Sequence, residues 1–440
     1  MATELSSPMS AAEALTNPCQ PWRFGISSAL SVSEAKPSVS AVTRSIVAAF
    51  CVTLLQVVVA VGLLAPNGPL EYRYQTLLQH DSLWFMNIMD RGYQTTVPPI
   101  DHKVMEVSNV AFFPAYPLLA GALRSVFDLD PENALLFVAQ AAAFGFWCYF
   151  FLFCERWKLS TPVRWLGALS IVAHPAAFYL VAGYSESLFL MALMGFLYWS
   201  SAEGNRAKFL AAIHGIVMSA TRIVGIPCVA APALQRFVAD GGRGIRHPFA
   251  WLRDNRGTVA VTAVSVMGAG AFFLYCQLRW GHWDIYMITQ SAGWAIEPDY
   301  LAVFRPSSYR WLIPAFDDPT EVSQMTMTLG GVCLLLAAAS ELARRFRGTP
   351  TRIGLLFCAA TIYFVSVSGV ACVDMESMLR YEFSLHPLMV LAFLHFLSQL
   401  RTPPPLVRFT GAVVVALGSA AGLCLQGWFV WNFTRGNWVA

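Results

Sequence analysis

Apolar runs about 20 residues long recur along this chain, and they constrain its fold more than any other feature, because a helix that crosses a bilayer needs a run of that length. Hydrophobic residues make up 56% of the 440 residues and charged residues 12%. A soluble protein carries about twice this share of charged residues. The chain is therefore predicted to be an all-helical polytopic membrane protein.

Two further features of the sequence exclude several function classes. The net charge of +3 is scattered, and no lysine and arginine stripe with interleaved aromatic residues indicates a nucleic-acid partner. The Walker loop and the GxGxxG, GxSxG and HExxH motifs are absent from the sequence. We therefore find no support for a nucleotide-driven pump, a serine hydrolase or a zinc protease.

Cysteine and histidine residues do not form metal-binding patterns in the sequence. Most of the ten cysteines lie inside apolar runs, with no CxxC pair and no Cys/His metal spacing. We expect them to be small core residues rather than a disulfide framework. His174, His214 and His395 occur singly in apolar runs and are predicted to be core or interfacial residues. We expect no metal and no cofactor.

The distribution of Lys and Arg predicts the topology, because loops rich in these residues stay in the cytoplasm. Residues 1–43, rich in Ser, Ala and Pro, are expected to form a disordered cytoplasmic tail. Residues 44–440 are expected to form one transmembrane domain with external loops at 66–132 and 279–322. About eleven helices cross the membrane under this rule. Their approximate ranges are 45–65, 133–154, 163–182, 188–201, 209–224, a short segment ending near 237, 258–278, 325–343, 353–372, 385–400 and 410–430.

The apolar run from Val110 to Phe127 has two interpretations. If it spans the membrane, the basic segment at 155–164 falls on the outer side, against the charge rule. If it is an interfacial or re-entrant helix, begun by the breaks at Pro114 and Pro117, this conflict disappears. The charge pattern favours the interfacial helix.

The polar stretch from His80 to Pro117 follows the first span and therefore emerges on the outer side. A segment at 77–92 within it has amphipathic helical spacing and is predicted to lie along the membrane surface. Asp81, at the start of this helix, is either a general base for an incoming hydroxyl or a helix N-cap. The other candidate groups on this face are Asp90, Glu106, Glu186, Glu297, Asp299, Arg305, Arg310, Asp374, Glu376, Arg380 and Tyr381. For most of them we expect an ordinary solvated charge.

Two arginines stand out from this set. Arg222 lies inside an otherwise apolar run, where a charge needs a partner anion, either Glu186 or the phosphate of a ligand. Arg380, followed by Tyr381, stands at the outer end of a predicted span. It is either a ligand for a lipid-linked phosphate, which a guanidinium binds bidentately, or an interfacial anchor.

Five segments together resemble the PIG-V family of membrane mannosyltransferases, which includes GPI mannosyltransferase 2 and bacterial relatives. The resemblance extends from about residue 45 to about residue 400 and leaves out the N-terminal tail and the last span. FFPAYPLL and YSESLF are its most specific blocks. The segments in chain order are HDSLWFMNIMDRGY, NVAFFPAYPLL, HPAAFYLVAGYSESLF, SATRIVGI and LRYEFSLHPL.

This resemblance implies a GT-C type helical bundle with an active site on the outer or lumenal face. It implies an inverting, metal-independent transfer from a polyprenyl-phosphate donor, typically dolichyl- or polyprenyl-phosphate mannose. Asp81 matches the family's acidic residue taken as the catalytic base, and His80 stands where the family usually has tryptophan. Arg222 and Arg380 match family arginines suited to the donor phosphate. Residues expected to complete the site are Tyr381 toward the donor, and His80, Glu106, Tyr184 and Glu186 toward the acceptor or in support of these groups.

The leading hypothesis is therefore an inverting mannosyltransferase in a lipid bilayer, with a glycan, glycolipid or protein hydroxyl as acceptor. A bacterial inner membrane with a periplasm-facing site is expected, or alternatively an endoplasmic reticulum membrane with a lumenal site. A transporter or flippase of a lipid-linked sugar or organic anion is the second hypothesis, and it predicts inverted repeats. A non-catalytic scaffold subunit is the third.

Overall fold

A computed structural model of the chain describes residues 38–96, 107–310, 313–315, 318–343, 350–398 and 405–439. These residues form helices and connecting turns, with no strand among them. The helices of the first half are α1 Val39–Val57, continued as a π-helix over Val58–Leu64, α2 Leu70–Gln75, α3 Asp81–Arg91, α4 Ala115–Phe127, α5 Pro131–Arg156, α6 Thr161–Val172, α7 Glu186–Ser200 and α8 Asn205–Thr221. Those of the second half are α9 Gly225–Cys228, α10 Ala231–Ala239, α11 Arg243–Arg246, α12 Pro248–Asp254, α13 Arg256–Trp280, α14 Ile285–Trp294, α15 Pro319–Ala343, α16 Pro350–Val370, α17 Met378–Phe383, α18 His386–Ser398 and α19 Pro405–Phe433.

Six helices in the described part of the chain are long and apolar enough to cross a membrane, judged by length and composition. The predicted all-helical, polytopic class is thereby confirmed, and the chain is a multi-pass integral membrane protein. The count of about eleven spans remains a prediction. The six ranges are Val39–Leu64, Pro131–Arg156, Arg256–Trp280, Thr320–Glu341, Pro350–Val373 and Gly411–Phe433.

Helix α7 lies at the centre of the packing between α5 and α8. It is apolar around its whole circumference, and 12 of its 15 residues are buried, as expected for a helix surrounded by other helices. Glycines let the neighbouring helices approach closely. A Cβ on Gly195 would lie 2.1 Å from the ring of His214 on α8, and one on Gly268 of α13 would lie 2.1 Å from the Ile216 carbonyl oxygen. Small residues at such crossings are typical of membrane helix bundles.

The predicted span at 163–182 is not one continuous helix. Helix α6 ends at Val172, and a short 3₁₀ turn follows at Ala177–Leu180. The reason is Pro175, which lacks a backbone N–H and disfavours helical geometry in the preceding residue. The chain from 173 to 185 is thus largely a buried non-helical connection that leads into α7.

Arg222 does not lie inside a helix, contrary to the prediction for the 209–224 run. Helix α8 ends at Thr221, and Arg222 has an extended backbone with φ −152° and ψ 147°. Three residues later the four-residue helix α9 begins. Leaving the helix allows the Arg222 side chain to reach a carboxylate on α7, as described below.

Contacts at the helix ends define two ends of the bundle. At one end, Glu155 near the C-terminus of α5 pairs with Arg44 near the start of α1, with Nη2 to Oε1 at 3.4 Å, and with Arg164 on α6. At the other end, the Ser82 hydroxyl donates to the Gly183 carbonyl oxygen at 2.8 Å. The polar segments that the charge rule assigns to the outer face meet at this second end.

Helix α4 leaves out the first five residues of the ambiguous 110–127 run. It has 13 residues, fewer than the about 20 that a bilayer crossing needs. It packs against α3 and α5. Its length favours the interfacial interpretation over a span.

Candidate active site

Asp81 is the first residue of α3, and its carboxylate points at Arg380 rather than at the helix backbone. Arg380 Nη1 donates to Asp81 Oδ2 at 2.6 Å. The start of α3 has no side-chain cap hydrogen bond, so the helix N-cap interpretation has no support. The Asp81 side chain is 22% exposed and the Arg380 side chain 7%. Asp81 is thus a partly accessible carboxylate held by a buried guanidinium.

Glu186 joins Arg380 to Arg222. Its Oε1 lies 3.3 Å from Arg380 Nε and 2.5 Å from Arg222 Nη1. The carboxylate is 2% exposed. Glu186 is therefore the partner of Arg222, which confirms one of the two partners predicted for it. Asp81, Arg380, Glu186 and Arg222 form a row of alternating charges, called here the charge row.

Aromatic rings flank the two arginines of the charge row. The guanidinium carbons of Arg222 and Arg380 each lie 5.2 Å from the centroid of the Tyr381 ring, within the range of cation–π attraction. The rings of Tyr184 and Tyr179 lie 5.3 Å and 5.9 Å from the Arg380 carbon. These rings fix the guanidinium groups without adding negative charge.

Several buried polar atoms of this cluster lack a hydrogen-bond partner among the described residues. Buried polar groups in proteins are normally hydrogen-bonded, so each exception needs an explanation. Two of these atoms are Glu186 Oε2, which can only accept, and the Tyr184 hydroxyl. The other two, Arg222 Nη1 and Arg380 Nε, lie within ion-pair distance of Glu186 Oε1 but without hydrogen-bond geometry. A free hydroxyl donor beside two guanidinium groups is suited to an anionic ligand.

A cavity of about 710 Å³ opens beside the charge row and is lined by Asp81, Glu186, Arg222, Arg380 and Tyr381. A volume of this size is typical of small-molecule sites. Most of the remaining wall is apolar, formed by side chains such as Ile223, Ile288, Val365 and Val370, with Met287 partly exposed. The cavity thus has one charged wall, formed by the charge row, and otherwise mainly apolar walls.

Sequence reasoning missed several polar residues of the cavity wall. Gln290 on α14 is held there by donating from Nε2 to the Ala111 carbonyl oxygen at 3.0 Å. The other missed side chains are Ser185, Thr221, Ser291, Ser366 and Ser368. No pattern in the sequence distinguishes them from ordinary helix and loop polar residues. Glu297, which the sequence places among the outer acids, also lines the cavity.

Two predicted acceptor residues lie outside the cavity wall. The His80 ring turns away toward the C-terminal segment and donates from Nε2 to the Asn437 carbonyl oxygen at 3.3 Å. Tyr184 is buried against Tyr179, with ring centroids 4.8 Å apart. Glu106 lies outside the described residues. Their acceptor roles stay predictions.

The ionisation states of Tyr184 and Arg380 exclude both residues as the general base. Burial raises the pKa of Tyr184 well above its ordinary value, so its phenol stays neutral and is no base near neutral pH. Burial lowers the pKa of Arg380, but Asp81, Tyr381 and Glu186 act in the opposite direction and hold it well above its ordinary value. Arg380 is therefore a permanent cation. The carboxylates remain as the candidate bases.

His174 is buried, as predicted for a core histidine. It lies in a buried cluster with Glu382 and His386. Its Nδ1 accepts from the Ala176 backbone N–H at 3.1 Å, which places its proton on Nε2, 2.7 Å from Glu382 Oε2. Both ring nitrogens are thus used in hydrogen bonds, and the bond to Glu382 links the turn after α6 to α17.

His214 agrees with the prediction of a satisfied core histidine. Its Nδ1 donates to the Leu210 carbonyl oxygen at 2.7 Å, and its Nε2 accepts from the Tyr149 hydroxyl at 2.8 Å. Both ring nitrogens of His214 are therefore satisfied, which leaves no lone pair for a metal ion.

Comparison with known proteins does not assign a family. No family model matches the chain, and no curated protein matches it. The chain is similar to ArnT from Cupriavidus metallidurans bound to undecaprenyl phosphate, at 12% identity and a TM-score of 0.47, over 90% of this chain and 76% of that one. For the apo state of the same ArnT, the identity is 13% and the TM-score 0.44 over the same shares of both chains.

A third similar solved structure is the oligosaccharyltransferase of Archaeoglobus fulgidus in its apo form. It is 16% identical, with a TM-score of 0.44, over 91% of this chain and 56% of that one. These identities and TM-scores are too low to carry an argument about function, which rests on the site itself.

Proposed function

We propose that this protein is an inverting glycosyltransferase of the GT-C type that moves a hexose from a polyprenyl-phosphate donor to a hydroxyl group of a glycan, glycolipid or protein. The observation that carries the proposal is the charge row at the cavity. It sets one accessible carboxylate, Asp81, directly beside a buried arginine that can bind phosphate. The sequence resemblance to the PIG-V family makes mannose the proposed sugar.

A lipid-linked phosphate fits the cavity better than a nucleotide sugar. Two guanidinium groups on one wall suit a phosphate, which arginine binds with paired hydrogen bonds. The apolar walls suit an isoprenoid chain, and such a donor reaches the site by diffusing in the bilayer. A nucleotide sugar is water-soluble, and the sequence has no nucleotide-binding motif.

The transfer follows as a single displacement. Asp81 takes the proton of the acceptor hydroxyl as its oxygen attacks the anomeric carbon from the face opposite the phosphate. The bond between the anomeric carbon and the phosphate oxygen breaks, and polyprenyl phosphate leaves with the bonding electron pair. Arg380 and Arg222 stabilise the negative charge that grows on this leaving group. The anomeric configuration is inverted because one displacement occurs.

The contact between Asp81 and Arg380 gives the donor a second role. A phosphate bound to Arg380 competes with Asp81 for the same guanidinium, whose Nη1 lies 2.6 Å from Oδ2. Donor binding then frees the Asp81 carboxylate to accept a proton. Glu186 keeps both arginines in place throughout, since it is buried and pairs with each of them. We place the site on the periplasmic face of a bacterial inner membrane, or on the lumenal face of an endoplasmic reticulum membrane.

Asp81→Asn tests the proposal in protein reconstituted into vesicles with radiolabelled polyprenyl-phosphate mannose and a membrane-lipid and glycan extract as acceptor. We expect the wild type to transfer the label. The variant should lose about 100-fold or more in rate, the typical contribution of a positioned general base. Binding of undecaprenyl phosphate should remain.

Asp90→Asn is the matched control, because Asp90 lies on the same helix but is exposed and pairs with Arg124 at 2.5 Å, outside the cavity. It should transfer at the wild-type rate. Equal transfer by wild type and Asp81→Asn would remove Asp81 as the base. Failure of the wild type with this donor, while it still binds undecaprenyl phosphate, would favour a lipid-phosphate transporter instead.

A further inference from the structure

The segment that follows α19 packs against the residue immediately before Asp81. The His80 ring lies edge-on to Trp438, with centroids 5.0 Å apart and an interplanar angle of 86°. His80 also donates from Nε2 to the Asn437 carbonyl oxygen at 3.3 Å. Phe433, at the end of α19, lies 6.1 Å from the same ring. Three residues of the chain's last part therefore surround one histidine.

The backbone of His80 is strained. Its φ of 50° and ψ of −106° form a combination that L-residues rarely adopt. Such a conformation persists only where the surroundings impose it, and it is found most often at functional sites. Here the constraint comes from two sides. The Gly183 N–H donates to the Leu77 carbonyl oxygen at 3.0 Å, and the C-terminal segment holds the histidine ring.

The C-terminal segment is itself anchored. The Arg435 guanidinium lies 3.3 Å above the Trp431 ring and donates to the Leu64 carbonyl oxygen at 3.2 Å. Phe433 is fully buried and contacts Tyr179 and Tyr184, the two tyrosines whose rings face Arg380. The segment thus touches both partners of the Asp81 and Arg380 contact, one through His80 and the other through the tyrosine rings.

We propose that residues 433–439 act as a clamp that fixes the position of Asp81 relative to Arg380, with His80, Asn437 and Trp438 as positioning residues. This inference rests on the proposed function, since it takes Asp81 as the base. The clamp lies in the part of the chain that the PIG-V resemblance does not cover, so it is a feature of this chain's own structure. It also accounts for the orientation of His80 away from the cavity.

The test compares three variants in the full-length protein in nanodiscs. Trp438→Ala removes the ring against His80. His80→Gly removes the side chain, while glycine accepts the positive φ without strain. Trp428→Ala is the matched control, because Trp428 is 40% exposed on α19 and its ring packs on Phe429 rather than on His80.

The first readout is transfer, with kcat normalised to the fraction of protein that binds undecaprenyl phosphate. We expect kcat to fall about 10-fold in Trp438→Ala and His80→Gly, below the about 100-fold cost of a 1 Å misplacement. KM for the donor should stay within about twofold of wild type, since the arginines are untouched. Trp428→Ala should match wild type. A fall in lipid-binding fraction alone, with normalised kcat unchanged, would mean a merely structural role and overturn the proposal.

The second readout does not depend on transfer. The Ser82 and Leu83 amides donate to the Gln79 and His80 carbonyl oxygens at 3.1 Å and 3.0 Å. Hydrogen exchange at these amides should be about 10-fold faster in Trp438→Ala and His80→Gly than in wild type, because the turn opens locally more often. Unchanged exchange refutes the clamp. If exchange is faster in the two variants but the wild type transfers no sugar, the proposed function is refuted. The C-terminal segment would then still be shown to fix the turn that carries Asp81.

Discussion

Replacing Glu186 by glutamine tests how the charges of the site are balanced. The Glu186 carboxylate is 2% exposed and is shared by Arg222 and Arg380 at 2.5 Å and 3.3 Å. Removing one partner of a buried ion pair costs about 3–5 kcal/mol, because the other charge is left uncompensated. Glutamine keeps an oxygen at the same position, so we expect the lower value, about 3 kcal/mol. The Glu186→Gln protein should therefore unfold at a clearly lower temperature in detergent.

The same substitution should strengthen the binding of lipid phosphate. The two acids and two arginines of the charge row cancel, and the variant site carries one positive charge. Two unit charges 4 Å apart interact with about 4 kcal/mol at the effective dielectric of a protein surface. Arg222 and Arg380 are held less firmly without the Glu186 carboxylate, and this offsets part of the gain in binding free energy. We expect about 10-fold tighter binding of undecaprenyl phosphate, which corresponds to about 1.4 kcal/mol.

Glu155→Gln provides the comparison for both measurements. Glu155 is also shared by two arginines, Arg44 and Arg164, but it lies at the opposite end of the bundle. The Glu155→Gln protein should be less stable than wild type but should bind lipid phosphate with the same affinity. Thermal unfolding and titration with undecaprenyl phosphate, run on both variants, separate the two effects. If Glu186→Gln is as stable as wild type, or binds the lipid no better than Glu155→Gln does, the charge-balance reasoning is wrong.

Two further predictions concern the neighbours of Glu186. Arg380→Lys keeps the charge but loses the planar fork that binds a phosphate with paired hydrogen bonds, so kcat/KM should fall about 100-fold. Arg124→Lys, at an exposed pair outside the cavity, should leave kcat/KM unchanged. Tyr184→Phe should keep wild-type transfer across about pH 6 to about pH 9, because burial raises the pKa of Tyr184 and keeps its phenol protonated throughout this range. A rate in the wild type that falls with rising pH, and does not fall in Tyr184→Phe, would show that the phenol ionises in this range.

The sequence predicts which residues share one end of the bundle. Loops rich in Lys and Arg stay in the cytoplasm, and applied to the whole chain this rule predicts that Asp81, Glu186 and Arg380 share the opposite side. Their mutual contacts agree with that placement. The partner of Arg222 was also predictable, since a charge in an apolar setting requires an anion and Glu186 is an acid on the same face. Hydropathy and charge therefore predict that the members of the charge row share one face, together with other acids and arginines.

The geometry within that set was not predictable. Hydropathy gives the length of an apolar run but not the point where the helix within it ends. The 163–182 run is therefore predicted to be one helix, although helix α6 ends at Val172. Contacts between distant segments leave no local signal. Asp81 and Arg380 are 299 positions apart, and His80 and Asn437 are 357 apart. Such pairs depend on how whole helices pack, which spacing along the chain does not record.

The alternation of acids and arginines has a consequence for turnover under the proposed mechanism. Asp81 becomes a neutral acid as it takes the acceptor proton, just when the leaving phosphate gains negative charge beside Arg380. Once Asp81 returns its proton to water, its carboxylate competes again for the Arg380 guanidinium, which lies 2.6 Å away. The base therefore helps to expel the product whose formation it assisted. Asn at position 81 cannot compete in this way, because it carries no charge. The Asp81→Asn protein should consequently bind undecaprenyl phosphate about 10-fold tighter than wild type, the gain expected for removing a competing anion at a partly exposed pair, and equal affinity in the same titration would rule out this competition.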